Sequence, residues 1–282
     1  MIATVSRPRP IDHPALAALS SRPTPAVMGV LNITPDSFSD GGRFLAPEQA
    51  QAQAARMIAD GADIIDIGAE STRPYGSPRP VSAEEELLRL RPVLAEVIAL
   101  GRPVSIDSMK SEVAAWALGA GATIANDVWG LQRDPNMADV IASHRAAVIV
   151  MHNRDRADPA IDIMQDIAAF FGRSLEIAAR AGIAERHIVL DPGIGFGKTP
   201  EQSITALARL DELRSFGLPI LVGASRKRFI DSVSASKPDQ RLGGSIAAHL
   251  LAARNGARII RTHDVAETAQ ALRVARAIED KR

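Results

Sequence analysis

Short apolar runs alternate along the chain with longer amphipathic stretches. The short runs fall at 26–31, 63–67, 103–106, 123–125, 147–151, 187–190, 219–222 and 257–260, eight in all. They are rich in Val and Ile and do not alternate with polar residues, which is the pattern of parallel strands covered on both faces. Helix signals lie between them. Ser82 and Glu85 predict a capping box ahead of Leu87, Leu90, Leu94 and Val97, with a kink at Pro92. Thr199-Pro200 predicts a cap and first-turn proline before Ile204, Leu207 and Leu210. Asp264 with Glu267 predicts a further cap before Leu272, Ala275 and Ile278. Eight strand-then-helix units in 282 residues predict an α/β chain folded as a single (β/α)8 TIM barrel. An open doubly wound sheet is the rival, and it needs a reversal of strand order. Residues 1–25 hold Pro8, Pro10, Pro14, Pro23 and Pro25, and predict an extended lead-in arm with one short turn at 15–19, ahead of a barrel domain over 26–282.

Each predicted strand is followed by a polar or ionisable side chain. In order these are Asn32; the stretch from Gly68 through Glu70, Thr72 and Arg73; Asp107; Asn126-Asp127; His152; Asp191; Ser225-Arg226-Lys227; and Arg261 with His263. One Asp after one strand is most often a helix cap. Eight strand ends in eight, converging on the mouth of one barrel, predict an active site. Asp107, Asn126 and Asp191 suit the N–H-rich edge of a flat heterocycle. Arg73, Arg226, Lys227, Arg261 and His263 supply cations for phosphate or carboxylate.

Composition narrows the chemistry. Lys plus Arg and Asp plus Glu number 33 each, so no global positive field draws nucleic acid or an anionic membrane. Aromatic residues are only 4%, too few for stacking platforms. The absence of Cys excludes thiolate metal sites and thiol catalysis and fits a cytoplasmic setting. No secretory h-region opens the chain, and no apolar run reaches bilayer length. The stretch from Asp191 to Thr199 looks like a phosphate-binding P-loop, but the first glycine position holds Pro192, so nucleotide triphosphate binding is rejected. A glycine-rich turn that brings Asp191 and Phe196 close to a ligand is the reading kept. His13, His144, His187 and His249 lack metal-ligand spacing and are expected to be structural or on the surface. The long segments after the first and second strands, rich in Gly and Pro, are expected to act as lids over the mouth.

The motifs G-V-L-N-I-T-P-D-S-F-S-D-G-G, D-I-G-A-E-S-T-R-P, S-I-D-S, N-D-V, L-D-P-G-I-G-F-G-K, G-A-S-R-K and R-T-H-D-V occur in order from about Val27 to Val265. Together they resemble the dihydropteroate synthase family. The resemblance implies a (β/α)8 barrel that joins 6-hydroxymethyl-7,8-dihydropterin diphosphate to 4-aminobenzoate, with sulfonamides competing for the aminobenzoate site. It implies that Asn32 contacts Mg²⁺ and diphosphate. Asp107, Asn126, Asp191 and Lys227 would hold the pterin, and Thr72, Arg261 and His263 the diphosphate side. Phe38, Pro74, Phe196 and Lys227 would border the aminobenzoate pocket. Lys227, Asp107 and Asp191 carry the catalytic assignment, and a homodimer is implied, with no nucleic-acid or membrane partner. Two departures stand out: Arg228 occupies a position where many members have Ser, and the second loop is longer than usual. The competing readings are a pterin-binding methyltransferase serving a corrinoid protein, which needs no diphosphate set, and a non-catalytic pterin-binding relative.

Overall fold

The computed structural model describes residues 13–33, 47–70 and 81–281. Eight parallel strands close into a barrel in chain order. They are β1 (Ala26–Asn32), β2 (Ile64–Gly68), β3 (Val104–Asp107), β4 (Ile124–Asp127), β5 (Ala147–Met151), β6 (Ile188–Asp191), β7 (Ile220–Val222) and β8 (Ala257–Thr262). The pairing of β1 with β8, Met28 opposite Arg261, shuts the barrel and excludes the open sheet. The described helices are α1 (Pro14–Ser21), α2 (Pro47–Asp60), α3 (Ala83–Leu90), α4 (Leu94–Ile98), α5 (Ser111–Gly119), α6 (Met137–Ser143), α7 (Ile163–Ala181), α8 (Pro200–Ala208), α9 (Arg228–Val233), α10 (Leu242–Arg254) and α11 (Val265–Glu279).

The local chemistry explains most boundaries. Asp162 caps α7 by accepting from Met164 N and Gln165 N, and Gly182, at φ +82°, ends it in the left-handed region that glycine tolerates. Thr199 and Gln202 form a reciprocal capping box at α8. Ser82 accepts from Glu85 N, one half of the expected capping box, while the Glu85 carboxylate pairs with Arg89. Two expectations fail. Pro92 breaks the helix rather than kinking it: α3 ends at Leu90 and α4 restarts at Leu94. Proline has no N–H to give and its ring crowds the preceding turn. Asp264 sits at the cap position of α11 but makes no cap bond, because its carboxylate is paired with Arg226.

Packing divides the apolar residues into two bodies. A large one lies between the strands and the helix layer. A smaller one fills the barrel itself, with Met28, Ile64, Ile124, Ile149, Val189, Leu221 and Ile259. Ala15 and Leu16 of α1 join that inner body beside Ala26, at the start of β1. The lead-in thus forms a two-turn helix where one turn was expected, and α1 closes the N-terminal end of the barrel. Burying a leucine side chain as fully as Leu16 stabilises by ~1.5–3 kcal/mol.

A strand's side chains return to the same face every second residue. Two residues beyond Ile64, Ile124, Val189 and Ile259 stand Asp66, Asn126, Asp191 and Arg261. The barrel's apolar filling therefore gives way to a polar layer at the C-terminal mouth.

Candidate active site

The floor of the mouth is a buried charge network. Arg261 on β8 donates through Nε to Asp66 Oδ2 at 2.6 Å and through a terminal nitrogen to Asp107 Oδ2 at 2.7 Å. Asn126 Nδ2 donates to Asp66 at 3.2 and 3.4 Å. That commits the Asn126 amide N–H groups to the protein and leaves its carbonyl oxygen for the pocket. Asp107 Oδ1 is buried and has no partner among the described residues. Asp191 Oδ1 accepts from Gly193 N at 2.7 Å, which leaves its second oxygen. Asp107, Asn126, Asp191, Phe196, Lys227 and Arg261 line one cavity. Its floor thus presents acceptors, in a setting where leaving them unmet is costly.

Burial tunes these groups. It pushes the Asp107 carboxyl up to about 7, against the pull of Arg261. It pushes Asp191 up to about 6, against the Gly193 hydrogen bond and the Lys227 charge. Burial disfavours the charged Arg261 as well, but Asp66 and Asp107 outweigh it and hold the guanidinium above its usual range. The ionised forms of Asp107 and Asp191 therefore carry a desolvation cost, which a donor-rich ligand edge would offset.

The rim carries the remaining groups. Lys227 precedes α9, and its ammonium lies 4.0 Å from the centre of the Phe196 ring. His263 Nδ1 lies 3.0 Å from Ser225 Oγ, which leaves Nε2 as the ring nitrogen able to serve an anion. Burial, then Arg261, Arg226 and Lys227, push His263 down to about 3. His263 is neutral at physiological pH, which corrects its reading as a cation. Arg226 pairs with Asp264 through Nε and a terminal nitrogen, so its charge is spent on a rim ion pair. Asn32, the last residue of β1, is half-buried, and Arg228 opens α9 exposed. Glu70 accepts from Lys110 Nζ at 2.5 Å and from Val81 N at 3.3 Å, so one carboxylate ties together both roots of the second loop.

Not every strand-end residue faces the pocket. His152 is fully buried against α7, edge-on to the Phe170 ring, with Nε2 on Asp166 and Nδ1 on Lys198. Burial and the Lys198 charge push it down to about 3. Asp127 closes a turn by accepting from Trp129 N and Leu131 N. Lys198, the lysine of the P-loop-like stretch, turns into the fold, and burial pushes it down to about 7. His13 caps α1 and meets the His187 ring edge-on. His144 is exposed at the end of α6 and His249 is buried in α10, pushed by burial down to about 4.

The structure brings together Asp107, Asn126, Asp191, Phe196, Lys227 and Arg261. Phe38, Thr72, Arg73 and Pro74, and both expected lids, lie outside the described residues. Asp66 is the residue that reading the sequence missed. It lay inside an apolar run and not at its end. A carboxylate there was nonetheless a signal, because a fully buried charge requires a partner.

A family model described as pterin binding enzyme matches residues 28–263. The dihydropteroate synthase of Bacillus subtilis is 42% identical over 272 residues, covering 96% of this chain and 94% of that protein. The structure of dihydropteroate synthase from Clostridium difficile, solved with pteroic acid, superimposes with a TM-score of 0.87 at 48% identity, covering 91% of this chain and 97% of that one. The Xanthomonas albilineans enzyme, solved with 4-aminobenzoic acid, gives 0.86 at 43% identity, covering 91% and 94%. The closed barrel, the acceptor-lined mouth and these matches converge: the chain belongs to the dihydropteroate synthase family of pterin-binding enzymes.

Proposed function

We propose that the mouth of this barrel condenses 6-hydroxymethyl-7,8-dihydropterin diphosphate with 4-aminobenzoate, giving 7,8-dihydropteroate and diphosphate. One observation carries the reading. Asp107, Asn126 and Asp191 line one cavity with Arg261 and Lys227, and Asp107 Oδ1 is a buried acceptor with no partner among the described residues. A pterin offers the complementary amino-pyrimidine edge. Lys227 over Phe196 supplies a cation and an apolar face, which suit the carboxylate and ring of aminobenzoate. Phe38 and Pro74 complete this wall in the proposal, and Thr72 joins the diphosphate side.

The reaction breaks the bond between the pterin methylene carbon and the bridging oxygen, and the electron pair leaves with diphosphate. The amine nitrogen forms the new C–N bond, and its surplus proton passes to diphosphate or water. The electron-rich pterin spreads the positive charge that develops on the methylene. The protein holds the pterin on Asp107, Asn126 and Asp191, presents His263 Nε2 and Arg261 to the departing anion, and aligns the amine against the methylene. Positioning and fixed charge suffice, and no protein nucleophile is needed.

Asn32 is proposed to hold Mg²⁺ together with diphosphate oxygens. It offers a single neutral amide oxygen, and no group of three or more His, Asp or Glu among the described residues forms a cage. That donor set fits an ion which keeps its waters and substrate oxygens. When bound, the ion would neutralise charge on the leaving group. A homodimer remains part of the proposal, supported by exposed Leu251 on α10 and Val274 and Ile278 on the adjoining α11. The cysteine-free sequence supports a reducing, cytoplasmic setting. No described helix is long and apolar enough to cross a membrane.

Separate titrations of a pterin and of diphosphate with Mg²⁺ test the division of the site. His263→Ala should weaken diphosphate and spare pterin, and chelation should abolish diphosphate binding alone. Equal weakening of both ligands would show damage to the fold and remove His263 from the anion site.

A further inference from the structure

Lys198 is a buried lysine that the proposed reaction does not use. Its Nζ meets three groups: His152 Nδ1 at 2.6 Å, the Gly193 carbonyl at 2.9 Å and the Phe196 carbonyl at 3.2 Å. Asp166 is held below the ordinary carboxylate range and can only accept, and burial keeps His152 neutral, so the single ring proton sits on Nε2 and His152 Nδ1 accepts from Lys198. That proton is donated to Asp166 Oδ2 at 2.9 Å. Asp166 Oδ1 in turn meets Arg154 at 2.9 Å. A chain of hydrogen bonds thus runs from Asp166 on α7 through His152, just past β5, into the glycine loop.

The loop is pressed against that chain. A Cβ on Gly193, at φ +65°, would fall 1.9 Å from the His152 carbonyl oxygen, and one on Gly197, at φ +52°, would fall 2.4 Å from that of Arg154. Gly193 faces two ways: its N–H goes to Asp191 and its carbonyl to Lys198. Phe196 gives Lys198 its carbonyl while its ring lies against Lys227. The same few residues therefore carry both the inward clamp and the ligand-facing surface.

We propose that Lys198 is the positioning residue of the glycine loop: by holding the Gly193 and Phe196 carbonyls from behind, it fixes the Phe196 ring against Lys227 and so forms one wall of the aminobenzoate pocket. The clamp stands on the geometry alone, and its consequence for turnover rests on the function proposed above. Asp191 is less dependent on Lys198, because its bond to Gly193 is local and the loop's fit against His152 supports it.

Two variants test the clamp. Lys198→Met removes the donors and keeps the length. Lys198→Cys is alkylated with 2-bromoethylamine while unfolded, and then refolded. The sulfur displaces bromide, a C–S bond forms, and an ammonium returns at nearly the lysine position. The natural chain has no cysteine, so the label goes to one site. Hydrogen exchange on ligand-free protein and steady-state kinetics are the readouts. In Lys198→Met, amides at 193–198 should exchange at least roughly 10-fold faster while the barrel strands keep their protection, the scale of one lost charge-assisted bond. KM for aminobenzoate should rise by a similar factor, with kcat and pterin affinity changed less than about 3-fold. Aminoethylation should restore both. The clamp is refuted if loop exchange stays at the wild-type rate. It is equally refuted if protection falls across the whole barrel and aminoethylation leaves KM unrestored. Wild-type protein that forms no dihydropteroate would remove the proposed function, and the exchange data would still decide the clamp.

Discussion

Replacing Asp191 by Asn separates a residue that binds ligand from one that only supports the loop. Asn keeps the size and keeps an oxygen for Gly193 N, which Asp191 now holds at 2.7 Å. The other oxygen, which the proposal gives to the pterin edge, becomes an NH2 donor. A hydrogen bond to a charged group contributes ~1.5–3 kcal/mol, so pterin affinity should fall roughly 10- to 150-fold. Stability should move the other way or not at all. Burial already pushes Asp191 up to about 6, so a neutral amide relieves a desolvation cost at neutral pH. Calorimetric titration with 6-hydroxymethylpterin gives the first quantity, and thermal unfolding of the free protein gives the second. Affinity within twofold of wild type would refute the pterin assignment. A fall in Tm together with equal loss of pterin and diphosphate binding would mark Asp191 as scaffold.

Further outcomes follow from the same geometry. Pterin affinity should drop as pH falls through about 7 and about 6, where Asp107 and Asp191 take up protons; titration across this range checks it. The ligand-free fold has the opposite sign: carboxyls raised above their ordinary 3.8 contribute stability that is fully present below about 3.8 and lost progressively as pH rises from there through about 6–7. Wild type should therefore lose Tm relative to Asp107→Asn over that window. Gly193→Ala should destabilise by more than ~2 kcal/mol in urea unfolding, because a left-handed φ and a backbone oxygen 1.9 Å from the new Cβ act together. Leu16→Ala should cost ~2–5 kcal/mol, with KM unchanged in the protein that remains folded, since Leu16 packs at the end of the barrel away from the mouth.

The fold was legible because buried parallel strands leave unbroken Val- and Ile-rich runs, and because the residues just past them are constrained by chemistry. Asn32, Asp107, Asn126 and Asp191 prove to be the last residues of their strands, or next to last for Asn126, rather than the first of the loops. Extending each strand that far is what places these side chains over the apolar filling. The partnerships were not legible. Nothing local says that Arg261 would bridge Asp66 and Asp107, which stand on β2 and β3 across the closure of the barrel. Nothing local says that His152 would turn outward to Asp166, or that Arg226 would take Asp264 away from its helix. His263 was read as a cation from its residue type, whereas its charge state is set by burial and by three neighbouring cations. Period-two alternation does carry one overlooked signal: Asp66 lies two residues after Ile64, in the same inward register that links Ile124 to Asn126.

The most direct test of the central claim is a single incubation of the purified chain with 6-hydroxymethyl-7,8-dihydropterin diphosphate, 4-aminobenzoate and Mg²⁺, following both products by mass spectrometry. Dihydropteroate and diphosphate should appear in equal amounts, and omitting aminobenzoate should stop the first. Diphosphate released without the C–N product, or no reaction with all components present, would contradict the assignment of this mouth as a dihydropteroate-forming site.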